Sequence, residues 1–338
     1  MCKMISFLMF SAAALFAQTH TTTGSRATQS ALTVTPPPVV SSSDPLHDLF
    51  PSSYPLMQPI TALPINTHTM TPNNGQPTVN GNFKAMFGPA RLKIDASMPT
   101  TLSNSLTNPT ILKRVKLTEF AGESDASTGT VLPIGGCKIE GGTDNHCLVF
   151  DQGTGMLHEF ANVSVDANGN YTASQYTRWL GPKKTTARKN SWTSADAAGL
   201  PMLPLLLRYA EASTGTIDHA LRITFNLTRA NANNGYYVAP ASHAAGNNWS
   251  TAVVMGARLR LRADFDVSGF SPTNRAILNA LKTYGAVVAD NGQTGFITAD
   301  NDPRWNFDDL QKLIAVRMDD FDIVDTGTPV DSEGKKAY

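Results

Sequence analysis

The residues from Ala257 to Val267 constrain the fold more than any other stretch, because polar and apolar side chains alternate there without a break. Leu259, Leu261, Ala263, Phe265 and Val267 fall on one side of an extended chain, and Arg258, Arg260, Arg262, Asp264 and Asp266 on the other. Successive side chains of a strand point to opposite faces, so this pattern reads as a half-buried antiparallel strand. Ala220 to Thr228 repeats it, with Leu221, Ile223, Phe225 and Leu227 inward and Arg222, Thr224 and Asn226 outward. Further strand-like runs are ILKRVKLTEF, HCLVFD, MLHEFANVSV, NYTASQYTRW, YYVAP, AVVAD, GFITA and FDIVD, separated by turns rich in Gly, Asn and Asp. Many short strands joined this way predict a mainly β fold, an antiparallel β-sandwich of jelly-roll type.

Two short accessory helices interrupt the strands. Ser271-Pro272 supplies a cap and a proline at the first helical position, and AILNALKTYG ends the helix at Gly285. Asn306 caps the second, with Asp308 and Asp309 at the positive end of its dipole. Between Leu46 and about Asn108 the chain is rich in Pro, Asn and Thr, and FKAMFG and ARLKI read there as edge strands.

The N-terminus reads as an export signal. Lys3 gives a positive start, Ile5 to Phe16 an apolar run, and Ala17 the expected last residue before cleavage, although Leu15 departs from the small-x-small rule. The run is shorter than the ~20 residues a bilayer crossing needs. Residues 18–45 are a Ser/Thr/Pro-rich linker with few large apolar side chains. That leaves one domain at 46–330 and a tail at 331–338. Charged residues are 16% of the chain and the formal net charge is zero, so no global field draws it to nucleic acid or to an anionic membrane. The expectation is a secreted protein, extracellular or periplasmic. Cys137 and Cys147 flank a Gly-rich loop, which in an oxidising compartment most simply closes as a disulfide. A loop that short is worth ~2.5–3 kcal/mol by the chain-entropy argument.

The polar residues that could do chemistry cluster between Trp192 and Phe225. Glycoside cleavage needs two carboxyl groups, and Asp151, Glu159, Asp196 and Glu211 fall on strands or adjoining turns. Glu159 stands out, because it shares strand parity with Leu157 and Ala161, and an inward carboxylate is costly unless paired or used. Asp196 reads either as a carboxylate beside a cleft or as part of a helix cap or Asx-turn. His219 reads either as a base at a sheet rim or as a satisfied core histidine. Glu159, Asp196 and His219 are the candidate catalytic set. Trp192, Tyr209, Arg222, Arg260 and His243 are the candidate substrate-binding set: loop tryptophans could stack on sugar rings, and a ladder of arginine forks could hold uronate carboxylates. Asp144, His146 and His158 could gather a metal, but no ligand spacing supports one, and no metal or cofactor is expected. There is no G-x-S-x-G elbow and no Gly-rich phosphate loop.

The strings WTSADAAGLP, RY-x-E, IDHALR, ARLRLRADFDVSGF, ILNALKTYG, VADNG and DPRW, with IEGG at Ile139 to Gly142, resemble a family of exported bacterial proteins. The resemblance runs from about Glu123 to Asp325. It implies export and one integral domain, and brings no established activity. Together these features suggest a glycan-cleaving enzyme, a hydrolase or polyuronate lyase, acting on an extracellular polysaccharide. The alternative is a non-catalytic carbohydrate-binding or cell-surface structural protein.

Overall fold

Short-range chemistry places the helices. The computed structural model describes residues 44–47, 49–69, 78–107, 113–132, 137–180, 188–230, 235–246 and 253–338. The expected leader, almost all of the linker, and Trp249 lie outside the described residues. Among the described residues four α-helices form, two more than expected: α1 (Val79–Phe87), α2 (Tyr209–Thr214), α3 (Pro272–Thr283) and α4 (Phe307–Leu310). α3 and α4 begin where their caps require, with Ser271 Oγ accepting from the Asn274 N–H at 3.2 Å and Asn306 Oδ1 from the Asp309 N–H at 3.1 Å. α3 buries Ile277, Leu278 and Leu281, a face worth ~1.5–3 kcal/mol per fully buried side chain.

α1 corrects the edge-strand reading of FKAMFG. Thr78 Oγ1 caps the Gly81 N–H at 3.0 Å, and Phe83 and Phe87 then stack one turn apart on the same face, against Phe225. A period of four is invisible in six residues when the cap lies outside them.

The strands are β1 (Lys93–Met98), β2 (Thr100–Ser103), β3 (Lys113–Leu117), β4 (Val131–Leu132), β5 (Cys147–Asp151), β6 (Met156–Ala161) and β7 (Ser164–Val165). After them come β8 (Tyr171–Ala173), β9 (Gln175–Leu180), β10 (Leu221–Phe225), β11 (Arg258–Leu261), β12 (Ala286–Asn291), β13 (Phe296–Asp300) and β14 (Phe321–Val324). They form a six-stranded sheet in the order β1-β13-β10-β12-β11-β14 and two four-stranded sheets, β2-β5-β6-β9 and β4-β3-β8-β7.

The chain is mainly β, as expected, but all three sheets are mixed. β1 runs parallel to β13, β10 to β12, β2 to β5 and β3 to β8. This corrects the antiparallel jelly roll. Alternation reports which face of a strand is buried, whereas direction depends on the connection, and β10 reaches its parallel neighbour β12 by way of β11 and α3. The longest alternating run also shortens: β11 ends at Leu261, and Phe265 accepts a turn by donating its N–H to the Arg262 carbonyl at 3.1 Å. YYVAP contributes only two isolated bridges at Tyr237, to Met255 and to Val330.

The β2-β5-β6-β9 sheet has apolar packing on both faces. Leu148, Phe150, Leu157 and Trp179 belong to the main core, which also takes in β10, β12 and α3. Cys147, Val149, Phe160 and Tyr176 form a second core with Val115, Leu117, Tyr171 and Ala173. Cys147 pairs with Phe160 and Leu148 with Glu159 in the β5–β6 register, so Glu159 points into the main core beside Leu157. Cys137 and Cys147 lie at disulfide distance, with Cα atoms 6.0 Å apart.

Replacing Ser271 by Ala should lower the stability measured by urea unfolding by about 1 kcal/mol, the usual worth of a helix cap. Gly285→Ala should cost more than that. Gly285 has φ +71°, and a Cβ there would stand 2.3 Å from the Leu259 carbonyl oxygen.

Candidate functional site

Trp192 to Leu203 forms a strap that lies over the six-stranded sheet and meets β6. Its backbone is fixed at several points: the Ala198 N–H donates to Ala289 O of β12 at 2.8 Å, and Ser242 Oγ donates to Trp192 O at 2.8 Å. Ser194 Oγ lies 2.8 and 2.6 Å from Asp196 O and Leu200 O, which share its one proton, and accepts from the Asp196 N–H at 2.9 Å. That is the local turn chemistry Ser and Asp favour, and it directs the Asp196 carboxylate down onto the sheet.

There Asp196 meets Arg222 of β10 in a two-point ion pair, with Nε to Oδ2 at 3.0 Å and Nη2 to Oδ1 at 2.8 Å. Arg222 Nη1 also donates to Thr298 Oγ1 of β13. Both side chains are buried. The outward face of β10 is therefore covered at Arg222, which corrects its reading as an outward fork free to hold a uronate carboxylate, and its charge is met by a carboxylate on the covering segment. Burial pulls the Arg222 guanidinium down, but Asp196 and Asp290 outweigh it and hold it above its ordinary value.

Glu159 anchors the far end of the strap. Its Oε1 accepts from the Met202 and Leu203 N–H groups at 2.9 and 2.8 Å, and its Oε2 from the Trp179 indole at 2.8 Å. Burial pushes its carboxyl up to about 7 against these bonds, and the nearby Asp196 charge adds to the rise. The structure thus brings Glu159 and Asp196 within electrostatic reach of each other. Both face protein groups.

Three further residues complete this cluster: His146, which the sequence offered only as a possible metal ligand, and Glu140 and Asp290, which it did not single out as site residues. His146 Nδ1 lies 2.6 Å from Glu140 Oε2, and its Nε2 3.1 Å from Ala195 O on the strap. Asp290, at the end of β12, has Oδ2 3.6 Å from Arg222 Nη2 and keeps 18% of its side-chain surface exposed. Burial, reinforced by Asp196, pushes its carboxyl up to about 7. Asp290 appears in the sequence only as the acid ending the apolar run AVVAD and within the VADNG string. Glu140 appears only in the IEGG string.

The other nominated residues lie around or away from the strap. His243 Nδ1 is 2.7 Å from Ala197 O, and the half-buried Trp192 ring has Lys189 Nζ 4.3 Å from its centre. His219 belongs to a different cluster: its Nε2 is 3.1 Å from Glu211 Oε2 of α2 and its Nδ1 2.9 Å from Ala220 O. Arg208 bridges Glu211 and Asp44 there. Tyr209 opens α2, with its N–H on Asp300 at 3.1 Å and its ring between Trp305 and Arg304.

Arg260 is elsewhere again. Its Nη1 donates to the carbonyls of Ile60 and Leu63 at 2.6 and 2.7 Å, while Arg258 donates to Pro55 O at 3.1 Å and to Tyr284 O. Arg258 and Arg260 are therefore engaged mainly by the backbone of the Pro-rich segment lying across them, a correction that alternation could not foresee, whereas Arg262 stays partly exposed beside Asp264 at 3.3 Å. Asp144 is exposed, His146 serves the strap, and His158 faces the second core with Nδ1 2.8 Å from Tyr176 OH, so these three do not gather. A small cavity of about 20 Å³, lined by residues including Asn66, Phe83, Val238 and Ile323, holds a water or so rather than a sugar ring.

Among the described residues no helix is long and apolar enough to cross a membrane. No family model, no curated protein and no solved structure matches the chain.

Breaking the central pair from one side should be expensive. Arg222→Met leaves Asp196 buried without a counter-charge and should cost ~3–5 kcal/mol in urea unfolding. The double variant Asp196→Leu/Arg222→Met should recover much of that loss, and strict additivity of the two single losses would show that the residues do not act as a pair.

Proposed function

We propose that this is an exported, non-catalytic protein of carbohydrate-binding or cell-surface structural type, its fold a layered β-sandwich. One observation carries the reading. The polar atoms of Glu159, Asp196 and His219 are engaged by backbone amides, an indole, an arginine, a carbonyl and a glutamate. A glycosidase acid must deliver its proton to a glycosidic oxygen, and its partner must reach the anomeric carbon or a water. Carboxylates enclosed by fixed donors suit a scaffold better than that task. Export is supported by the leader-like N-terminus and by the Cys137–Cys147 pair.

The polysaccharide partner, and the surface that meets it, extend the same reading. Tyr209 is packed between Trp305 and Arg304, so the half-buried ring of Trp192, with Lys189 and Arg188 4.3 and 5.5 Å from its centre, is where a sugar ring would stack by displacing one of these side chains. A catalytic reading is favoured by one group, Asp290, which combines a carboxyl pushed up to about 7 with an open edge.

A panel of plant, algal and microbial polysaccharides tests the reading. The expected outcome is no release of reducing ends and no rise in ultraviolet absorbance from unsaturated uronates, with retention on at least one insoluble glycan. Trp192→Ala should weaken that retention about tenfold, or ~1.4 kcal/mol. Cleavage that Asp290→Asn abolishes would overturn the proposal in favour of the enzyme, and indifference to every glycan would leave the structural form of it alone.

A further inference from the structure

We infer that His146 and His219 are proton-held fastenings, closed in acid and opened in base, each tying a separate segment of the chain to the fold. The positions of the ring nitrogens carry this. In each ring one nitrogen faces a backbone carbonyl and the other a glutamate: Ala195 O at 3.1 Å and Glu140 Oε2 at 2.6 Å for His146, Ala220 O at 2.9 Å and Glu211 Oε2 at 3.1 Å for His219.

A neutral imidazole has one N–H and one lone pair. A carbonyl can only accept, so it takes the N–H. The second nitrogen would then turn a lone pair toward an ionised carboxylate at hydrogen-bonding distance. One more proton must lie between ring and carboxylate. Both glutamates are held below the ordinary carboxylate range despite their burial, because of the histidine each one faces, so the ring carries the proton, and the pair as a unit holds one proton more than a neutral ring beside a free carboxylate. Removing it sets two acceptors against each other, fully in the interior for His219 and Glu211 and with a buried ring against a part-buried carboxylate for His146 and Glu140.

The neighbours of each ring are consistent with this. Around His146, Glu140 on the disulfide loop and Asp290 on β12 favour the cation, while Arg222 on β10 opposes it. Around His219, Glu211 on α2 favours it and Arg208 opposes it, with Asp44 sharing the Arg208 charge and His47 acting on Glu211. Asp218, next in sequence to His219, pairs with His47 at 3.4 Å. Burial disfavours the cation in both rings, and in both the glutamate outweighs burial and raises the proton affinity.

What the protons hold is specific. The first joins the Cys137–Cys147 loop, through Glu140, to the strap at Ala195. The second joins α2 to the start of β10 and, through Arg208, holds Asp44 at the head of the N-terminal segment. A histidine whose proton is bound more tightly in the folded state contributes stability that is fully present below its unfolded value of about 6.5 and is lost as pH rises through the folded value. Glu159 and Asp290, both pushed up to about 7, act in the same direction, because the folded state holds their protons where the unfolded chain has released them. His158 is an internal contrast: its Nδ1 faces the Tyr176 hydroxyl, which can donate, its Nε2 has no partner, and burial pushes it down to about 4.

Nitrogen-15 NMR of histidine-labelled full-length protein through a pH series tests the proposal. Two rings should keep both nitrogens protonated above the ordinary histidine value of about 6.5, and the His158 ring should stay neutral down to about pH 5. His146→Gln and His219→Gln should each remove one imidazolium signal, and the wild-type spectrum answers the question even if a variant does not fold. Limited proteolysis should cut the 44–63 segment about tenfold faster at pH 9 than at pH 6, the change expected for ~1.4 kcal/mol of lost local stability. Rings that all lose a proton by about pH 6.5 would overturn the proposal. So would imidazolium signals that vanish in base with no change in cleavage.

Discussion

Everything near the strap depends on the buried pair of Asp196 and Arg222. Either charge alone in that position would be severely destabilising, since removing one partner of such a pair costs ~3–5 kcal/mol. Together they are a weak source of net stability but a strong source of register. Only when the strap lies with Asp196 over β10 does Arg222 find its carboxylate and Thr298 its donor. The same placement sets the Met202 and Leu203 amides on Glu159 and the Ala195 carbonyl on His146. One charge pair thus aligns two sheets and a disulfide-bearing loop through a segment with no regular structure of its own.

This arrangement explains why so many ionisable groups converge without forming an open cleft. A segment that crosses a sheet carries backbone amides and carbonyls that must be satisfied in the interior. Glu159, His146, His243 and Ser242 meet those groups one by one. The arginines of β11 do the same for the Pro-rich segment at residues 55–63, where prolines remove donors and leave carbonyls in need of partners. Side chains that look like chemistry in the sequence are here hydrogen-bonding equipment for irregular backbone.

Local features were therefore legible and long-range ones were not. Ser271 and Asn306 cap their helices because a cap needs only the next three residues. Glu159 was readable as inward from its parity with Leu157, and Cys137 and Cys147 were readable as partners. The parallel pairing of β10 with β12 was hidden, because the same alternation suits either direction. The covering of Arg222, Arg258 and Arg260 was hidden too, since a strand's pattern says nothing of segments that arrive from 26 or 200 residues away. WTSADAAGLP drew notice for its polar residues beside apolar ones, and it is indeed where the fold is knotted together. Asp290 and Glu140 gave no comparable signal, because their roles arise only from what surrounds them.

The central claim is that the strap is a rigid interior element rather than a mobile lid. Native-state hydrogen exchange measures this directly at the Ala198, Met202 and Leu203 amides. These protons should exchange only through global unfolding, with the same opening free energy as the amides of Ile223 and Val288 in the sheet beneath. Exchange of the strap amides through a cheaper local opening, while the sheet stays protected, would contradict the account.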